Sequence, residues 1–283
     1  MGLVASGCSG GAEAKPGAAS GFPGSVGEDT GEDTDDTTST SSTGAATLLT
    51  TSGSEGSEGT SSTGGLDEST STGATVVGPQ TFDVDPGWVS FNLPLGGNDY
   101  GWRPTATAGG DPGEIGGFFQ APLETSYYAD VGIEAPNTST ILASGVLDIV
   151  AVDGSYNYNT FFGHFSTANP EGSRLGFEIL EPNGGGEARV RIQHGTSSVK
   201  TFVLAELGID RDWSYAYDPN EAEFGGITLT LEGQGVESYA LSAEDRVAIE
   251  SLDAFGFVTR QSGNAGEDVG LLETYIDDVE YTR

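Results

Sequence analysis

Apolar and polar residues alternate along much of the chain beyond residue 80. In GGITLTLE (225–232), Ile227, Leu229 and Leu231 share one face while Thr228, Thr230 and Glu232 share the other, the period of two of a half-buried strand. EARVRIQH (187–194) repeats the pattern, with Val190 and Ile192 opposite Arg189, Arg191 and Gln193. EPNGGG (181–186) joins it to RLGFEILE (174–181), and its Asn-Gly supplies the positive backbone angles of a hairpin. WVSFNL (88–93), GVLDIVAV (145–152), TFFGHF (160–165), KTFVLA (200–205) and LLETYIDDVEYT (271–282) are further predicted strands. The helical pattern is confined to SAEDRVAIESL (242–252), which is short enough to be a loop. Many short strands, glycine-rich turns and almost no helix predict an all-β fold, an antiparallel two-sheet sandwich.

The last strand poses a conflict. Regular pairing puts Tyr275, Asp277, Val279 and Tyr281 on one face and Ile276, Asp278 and Glu280 on the other, so either face mixes carboxylate with apolar side chains. One aspartate is then inward and hydrogen-bonded, metal-bound or displaced by a bulge. A structural calcium through Asp277 or Asp278 with Asp83 or Asp85 is set against hydrogen bonding to loop amides. No D-x-D-x-D-G loop speaks for the ion, and no cofactor is otherwise expected.

Composition divides the chain. Residues 1–80 hold eleven acids, one base (Lys15) and one aromatic (Phe22), with short echoes such as GEDT at 27–30 and 31–34. Such a segment buries too little apolar surface to offset chain entropy. Residues 9–80 are therefore expected to be a disordered acidic Ser/Thr/Gly-rich linker, a coil with a root-mean-square reach of about 45 Å. A plain solubilising tail or glycosylated stalk is the alternative. Residues 81–283 carry all three tryptophans and all ten tyrosines and are expected to form the sandwich. The net charge of −33, from 43 acids against 10 bases, repels phosphate backbones and anionic head groups, so no nucleic-acid partner is expected.

Cys8 is the single cysteine, so it forms no internal disulfide. Val4-Ala5-Ser6-Gly7-Cys8 resembles a bacterial lipobox, which implies lipidation of Cys8 and an outward-facing, lipid-anchored or secreted address in the bacterial cell envelope. Only seven residues precede Cys8, with neither a basic n-region nor a full apolar h-region, so residues 1–8 read as the end of a truncated signal peptide. MGLVAS also fits an N-myristoylation site, although the acidic tail opposes an anionic leaflet. An unmodified remnant is the third reading.

In chain order, GEIGG (113–117), YYAD (127–130), ASG (143–145), FFGHF (161–165), LGFEI (175–179), WSYAYDP (213–219), FGFVT (255–259) and YIDDVEYT (275–282) resemble a bacterial concanavalin A-like lectin/glucanase domain. The resemblance implies a jelly roll and a link to carbohydrate. The glucanase E-x-D-x-x-E string and an H-E-x-x-H helix are missing, and residues 81–283 hold no G-x-S-x-G elbow, which argues against an enzyme. A sugar site needs aromatic faces for the ring and planar polar groups for hydroxyls. Trp102, Arg103, Glu114, Tyr128, Asp130 and His164 are the candidates, with scaffold roles as the alternative for each: Trp102 as a core plug, Glu114 as a partner of Arg103, His164 as a sheet histidine. The expected function is a surface-tethered, non-catalytic, lectin-like module with a polysaccharide partner and membrane contact through the lipid alone. A structural or adhesive envelope protein and a polysaccharide-degrading enzyme with an unrecognised site are the alternatives.

Overall fold

A computed structural model describes residues 75–93, 98–120, 124–153, 158–181, 186–259 and 271–283. Cys8 and the expected linker up to residue 74 lie outside the described residues. The strands are β1 (Val76–Gln80), β2 (Val89–Phe91), β3 (Asp99–Arg103), β4 (Glu114–Phe119), β5 (Ser126–Pro136), β6 (Ile141–Asp153), β7 (Tyr158–Phe165) and β8 (Arg174–Glu181). They continue with β9 (Ala188–His194), β10 (Ser197–Leu204), β11 (Arg211–Asp218), β12 (Gly226–Leu231) and β13 (Gly235–Ala240). Helix α1 (Ala243–Ala248) precedes β14 (Ser251–Thr259) and β15 (Leu271–Thr282).

Sheet A runs β13-β12-β11-β6-β15-β4-β3, with β1 also paired to β15; sheet B runs β10-β9-β8-β7-β14-β5-β2. The chain crosses repeatedly from one sheet to the other, and the result is the expected antiparallel two-sheet jelly-roll sandwich. Between the sheets, Ile115, Leu147, Ile149, Tyr215 and Leu229 of sheet A meet Phe162, Phe177, Ile192, Phe255 and Phe257 of sheet B, all buried in one core cluster. Each such side chain contributes roughly 1.5–3 kcal/mol on burial.

The expected domain boundary moves upstream. Thr75 and Arg283 exchange backbone hydrogen bonds of 3.3 and 2.6 Å, and Val77 packs on the core, so 75–80 belong to the sandwich and not to the expected linker. The β8–β9 hairpin forms as predicted, from Leu175↔His194 to Leu180↔Arg189. The helical patch divides instead. A capping box between Ser242 and Asp245 starts α1, but by Ser251 the chain is a strand, because Phe255 and Phe257 are needed between the sheets. In β15 the conflict is resolved by a bulge. Asp278 takes φ +52° and the register against β6 shifts between Asp277 and Glu280, so Ile276, Val279 and Tyr281 all enter the core while Asp277 stays on the outer face.

One row of sheet B tolerates only glycine. Gly256, Gly163 and Gly176 are register partners on β14, β7 and β8. A Cβ would lie 2.3 Å from the Tyr128 carbonyl oxygen at Gly256, 2.5 Å from that of Leu175 at Gly163 and 2.3 Å from that of Phe162 at Gly176.

Candidate site on the outer face of sheet B

The six residues predicted for sugar contact are not brought together. Trp102, Tyr128, Asp130 and His164 point between the sheets. The Trp102 indole donates to the Phe82 carbonyl (2.7 Å), which makes it the plug of the sandwich edge. Tyr128 packs on Trp88 at 5.7 Å, and Asp130 accepts a 2.6 Å hydrogen bond from the Tyr281 hydroxyl. His164 is fully buried. Its Nδ1 lies 2.5 Å from the Tyr215 hydroxyl and its Nε2 2.8 Å from the Thr282 carbonyl, and a carbonyl only accepts, so the proton sits on Nε2. Burial without a compensating anion lowers its pKa to about 4, keeping the ring neutral.

Arg103 and Glu114 occupy the outer face of sheet A, apart from the other four. Arg103 clamps the carboxylate and carbonyl of Asp99 at 2.5 and 2.6 Å, so it is not the partner of Glu114. Glu114 accepts from the Thr105 hydroxyl (2.5 Å) and the Thr107 and Ala108 amides (2.9 and 2.7 Å), pinning that loop over the sheet. Glu114, Tyr128 and His164 are buried, and Trp102, Arg103 and Asp130 are half-buried and tied to Phe82, Asp99 and Tyr281. The six are split between the interior and the outer face of sheet A, so they do not form one sugar site.

Two further carboxyls lie on that outer face. Asp148 and Asp277 are 4% and 2% exposed, and burial raises them to about 6 and about 7, with neighbouring carboxylates adding to the effect. Asp277 accepts the amide of its own neighbour in β15, Asp278, at 2.8 Å, and not a loop amide. Among the described residues no three His, Cys, Asp or Glu side chains are arranged to hold a metal ion.

The outer face of sheet B has a different character. Its β2–β5–β14 side is apolar: Tyr127, Ala129, Phe161, Phe165, Ala254 and Val258 form a second buried cluster, and Phe91, 46% exposed, stacks on Tyr127 at 5.0 Å. Its β7–β8–β9 side is polar. Buried Glu178 lies between Asn159, whose amide donates to it at 3.2 Å, and Arg191, whose guanidinium is 3.8 Å away and whose side chain is 30% exposed. Arg189, two residues along the same strand face, has no hydrogen-bond or ion-pair partner among the described residues, and the Nε atoms of both arginines are buried and unpartnered. Phe91, Tyr127, Val258, Phe161, Glu178 and Arg191 form one row across six strands, about 24 Å at ordinary strand spacing. Alternation in EARVRIQH had already placed Arg189 and Arg191 together. The missed signal was that two of only ten bases fall on one strand face.

No protein-family model matches the chain, and no curated protein matches its sequence. Among solved structures, a β-glucanase of Bacillus licheniformis is 10% identical over 75% of this chain and 99% of its own, with a TM-score of 0.42. Peanut lectin is 16% identical over 69% and 97%, with a TM-score of 0.37. An alginate lyase from Pseudomonas aeruginosa is 12% identical over 65% and 86%, with a TM-score of 0.40.

Proposed function

We propose that the sandwich is a non-catalytic carbohydrate-binding module that receives a glycan on the outer face of sheet B. The observation that carries this reading is the row in which an exposed ring, Phe91 on Tyr127, and a planar polar group, Asn159–Glu178–Arg191, share one face. An aromatic face takes the apolar side of a pyranose, while amide, carboxylate and guanidinium groups bind its hydroxyls. The carboxyls with raised pKa, Asp148 and Asp277, are buried on the other sheet, which separates them from this face and supports binding without catalysis. The same proposal includes an outward-facing, lipid-anchored address in the cell envelope, with Cys8 as the acylated residue.

Glycan-array and insoluble-polysaccharide pull-down experiments with the full chain test the binding. Retention is expected, and it falls at least fivefold in Phe91→Ala and Asn159→Ala. Retention of no glycan, or retention unchanged in both variants, refutes the reading. Incorporation of a palmitate analogue that persists in Cys8→Ser refutes the anchor. A second reading, a protein-contact module, draws on a shallow cavity of about 260 Å³ on the outer face of sheet A, beside the exposed Val76 and Leu142. Loss of partner-protein binding in Leu142→Asp with glycan retention intact favours it.

A further inference from the structure

We propose that Arg189 and Arg191 form an anion-binding pair that selects acidic polysaccharides, bearing carboxylate or sulfate groups, over neutral ones. This deepens the glycan-binding reading and rests on it. Arg103, Arg174, Arg211 and Arg246 each donate to a backbone carbonyl: those of Asp99 (2.6 Å), Gly195 (3.1 Å), Ile209 (2.9 Å) and Pro219 (3.4 Å). Arg174 also lies over the Phe161 ring at 5.4 Å. These four serve the scaffold.

Arg189 and Arg191 do not. Neither donates a hydrogen bond among the described residues, and the single ionic neighbour of Arg191 is Glu178 at 3.8 Å, a carboxylate that Asn159 already contacts. The Nε–H groups are withdrawn from water, while the terminal N–H groups of these half-exposed side chains, bound to no acceptor among the described residues, are the donors a ligand's oxygens can meet. Five donors in a fixed plane match carboxylate and sulfate oxygens, and an arginine fork engages such groups two at a time. The two residues sit i, i+2 on β9, about 7 Å apart along the strand, so they meet successive groups on an extended chain and not one small ion. Across the hairpin, their register partners on β10 are Thr201 and Val203, both exposed, so the face is open on that side. Glu178 orients Arg191 and is a positioning residue. The chain's net charge of −33 does not cancel the pair: at physiological ionic strength charges beyond about 8 Å are largely screened, and the local cations decide what binds.

Affinity electrophoresis of the full chain at 0.15 M salt, through gels containing polygalacturonate, fully methyl-esterified polygalacturonate, dextran sulfate or neutral dextran, separates the two claims. Retardation by polygalacturonate or dextran sulfate, absent with the ester and with dextran, is expected. It should weaken at least tenfold in Arg189→Gln and in Arg191→Gln, with thermal midpoints unchanged, and Arg191→Lys should recover part of it. Equal retardation by the ester, or variants that migrate as wild type does, overturns the anion selectivity and leaves glycan binding standing. No retardation by any of these polymers overturns the anion pair, and the broader glycan panel then decides the parent reading.

Discussion

Replacing Asp277 by Asn should stabilise the protein by an amount that grows as pH rises from about 4 to about 7 and then levels off. Burial beneath the 104–113 loop, with Asp278, Glu114 and Asp83 adding negative potential, raises its carboxyl from 3.8 to about 7. The folded state therefore holds a proton that the unfolded chain releases. For a group raised on folding, stability is full below the unfolded value and falls as pH rises from about 4 to about 7. A shift of about three units corresponds to roughly 4 kcal/mol once the carboxylate is forced to ionise. Asn keeps the Oδ1 acceptor for the Asp278 amide and carries no charge. Urea unfolding followed by tryptophan fluorescence, in EDTA at pH 5 and pH 8, measures the difference. At pH 5, about 1.2 units above the unfolded value, the variant should gain only about 1.6 kcal/mol. At pH 8 the variant should gain about 2–4 kcal/mol, a midpoint shift on the order of 1 M. A gap of the same size at both pH values, or a less stable variant at pH 8, refutes the argument.

His164→Leu leaves the Tyr215 hydroxyl and the Thr282 carbonyl without their buried partner and should cost about 2–5 kcal/mol by calorimetry; an unchanged midpoint contradicts the assigned network. The native imidazole, lowered to about 4, should show no NMR titration between pH 5 and 8. Gly163→Ala drives a methyl to 2.5 Å from the Leu175 carbonyl oxygen and should destabilise by more than about 2 kcal/mol, seen as a lower thermal midpoint; a neutral effect would show that β7 and β8 separate easily.

The sheets were legible where burial is one-sided. GGITLTLE and EARVRIQH alternate because one face meets the core, and both are strands with the expected faces. SYYADVGIEAP and SLDAFGFVT gave no such signal, because β5 and β14 are covered on both faces of sheet B, one by the core and one by the Tyr127–Phe161 cluster. The conflict in YIDDVEYT was legible, but the bulge was only one of three remedies open to it, and nothing in the string marked Asp278 as the residue left unpaired. The candidate site was not legible from residue type. Trp102, Tyr128 and His164 have the chemistry of a sugar site, but sheet parity turns them inward, and parity depends on the register of partners far away in sequence.

The place of β15 and β14 has a consequence for how the molecule comes into being. β15 lies between β6 and β4, and β14 lies between β7 and β5, so the last two described strands are the keystones of the two sheets. Until they emerge, each sheet is two fragments with open edges, and a chain in that condition is pairing-prone and slow to organise. Folding is thus deferred until β14 and β15 have both been made. A chain stalled or cut before Ser251 should present itself to the quality-control machinery as wholly unfolded and not as a nearly finished domain.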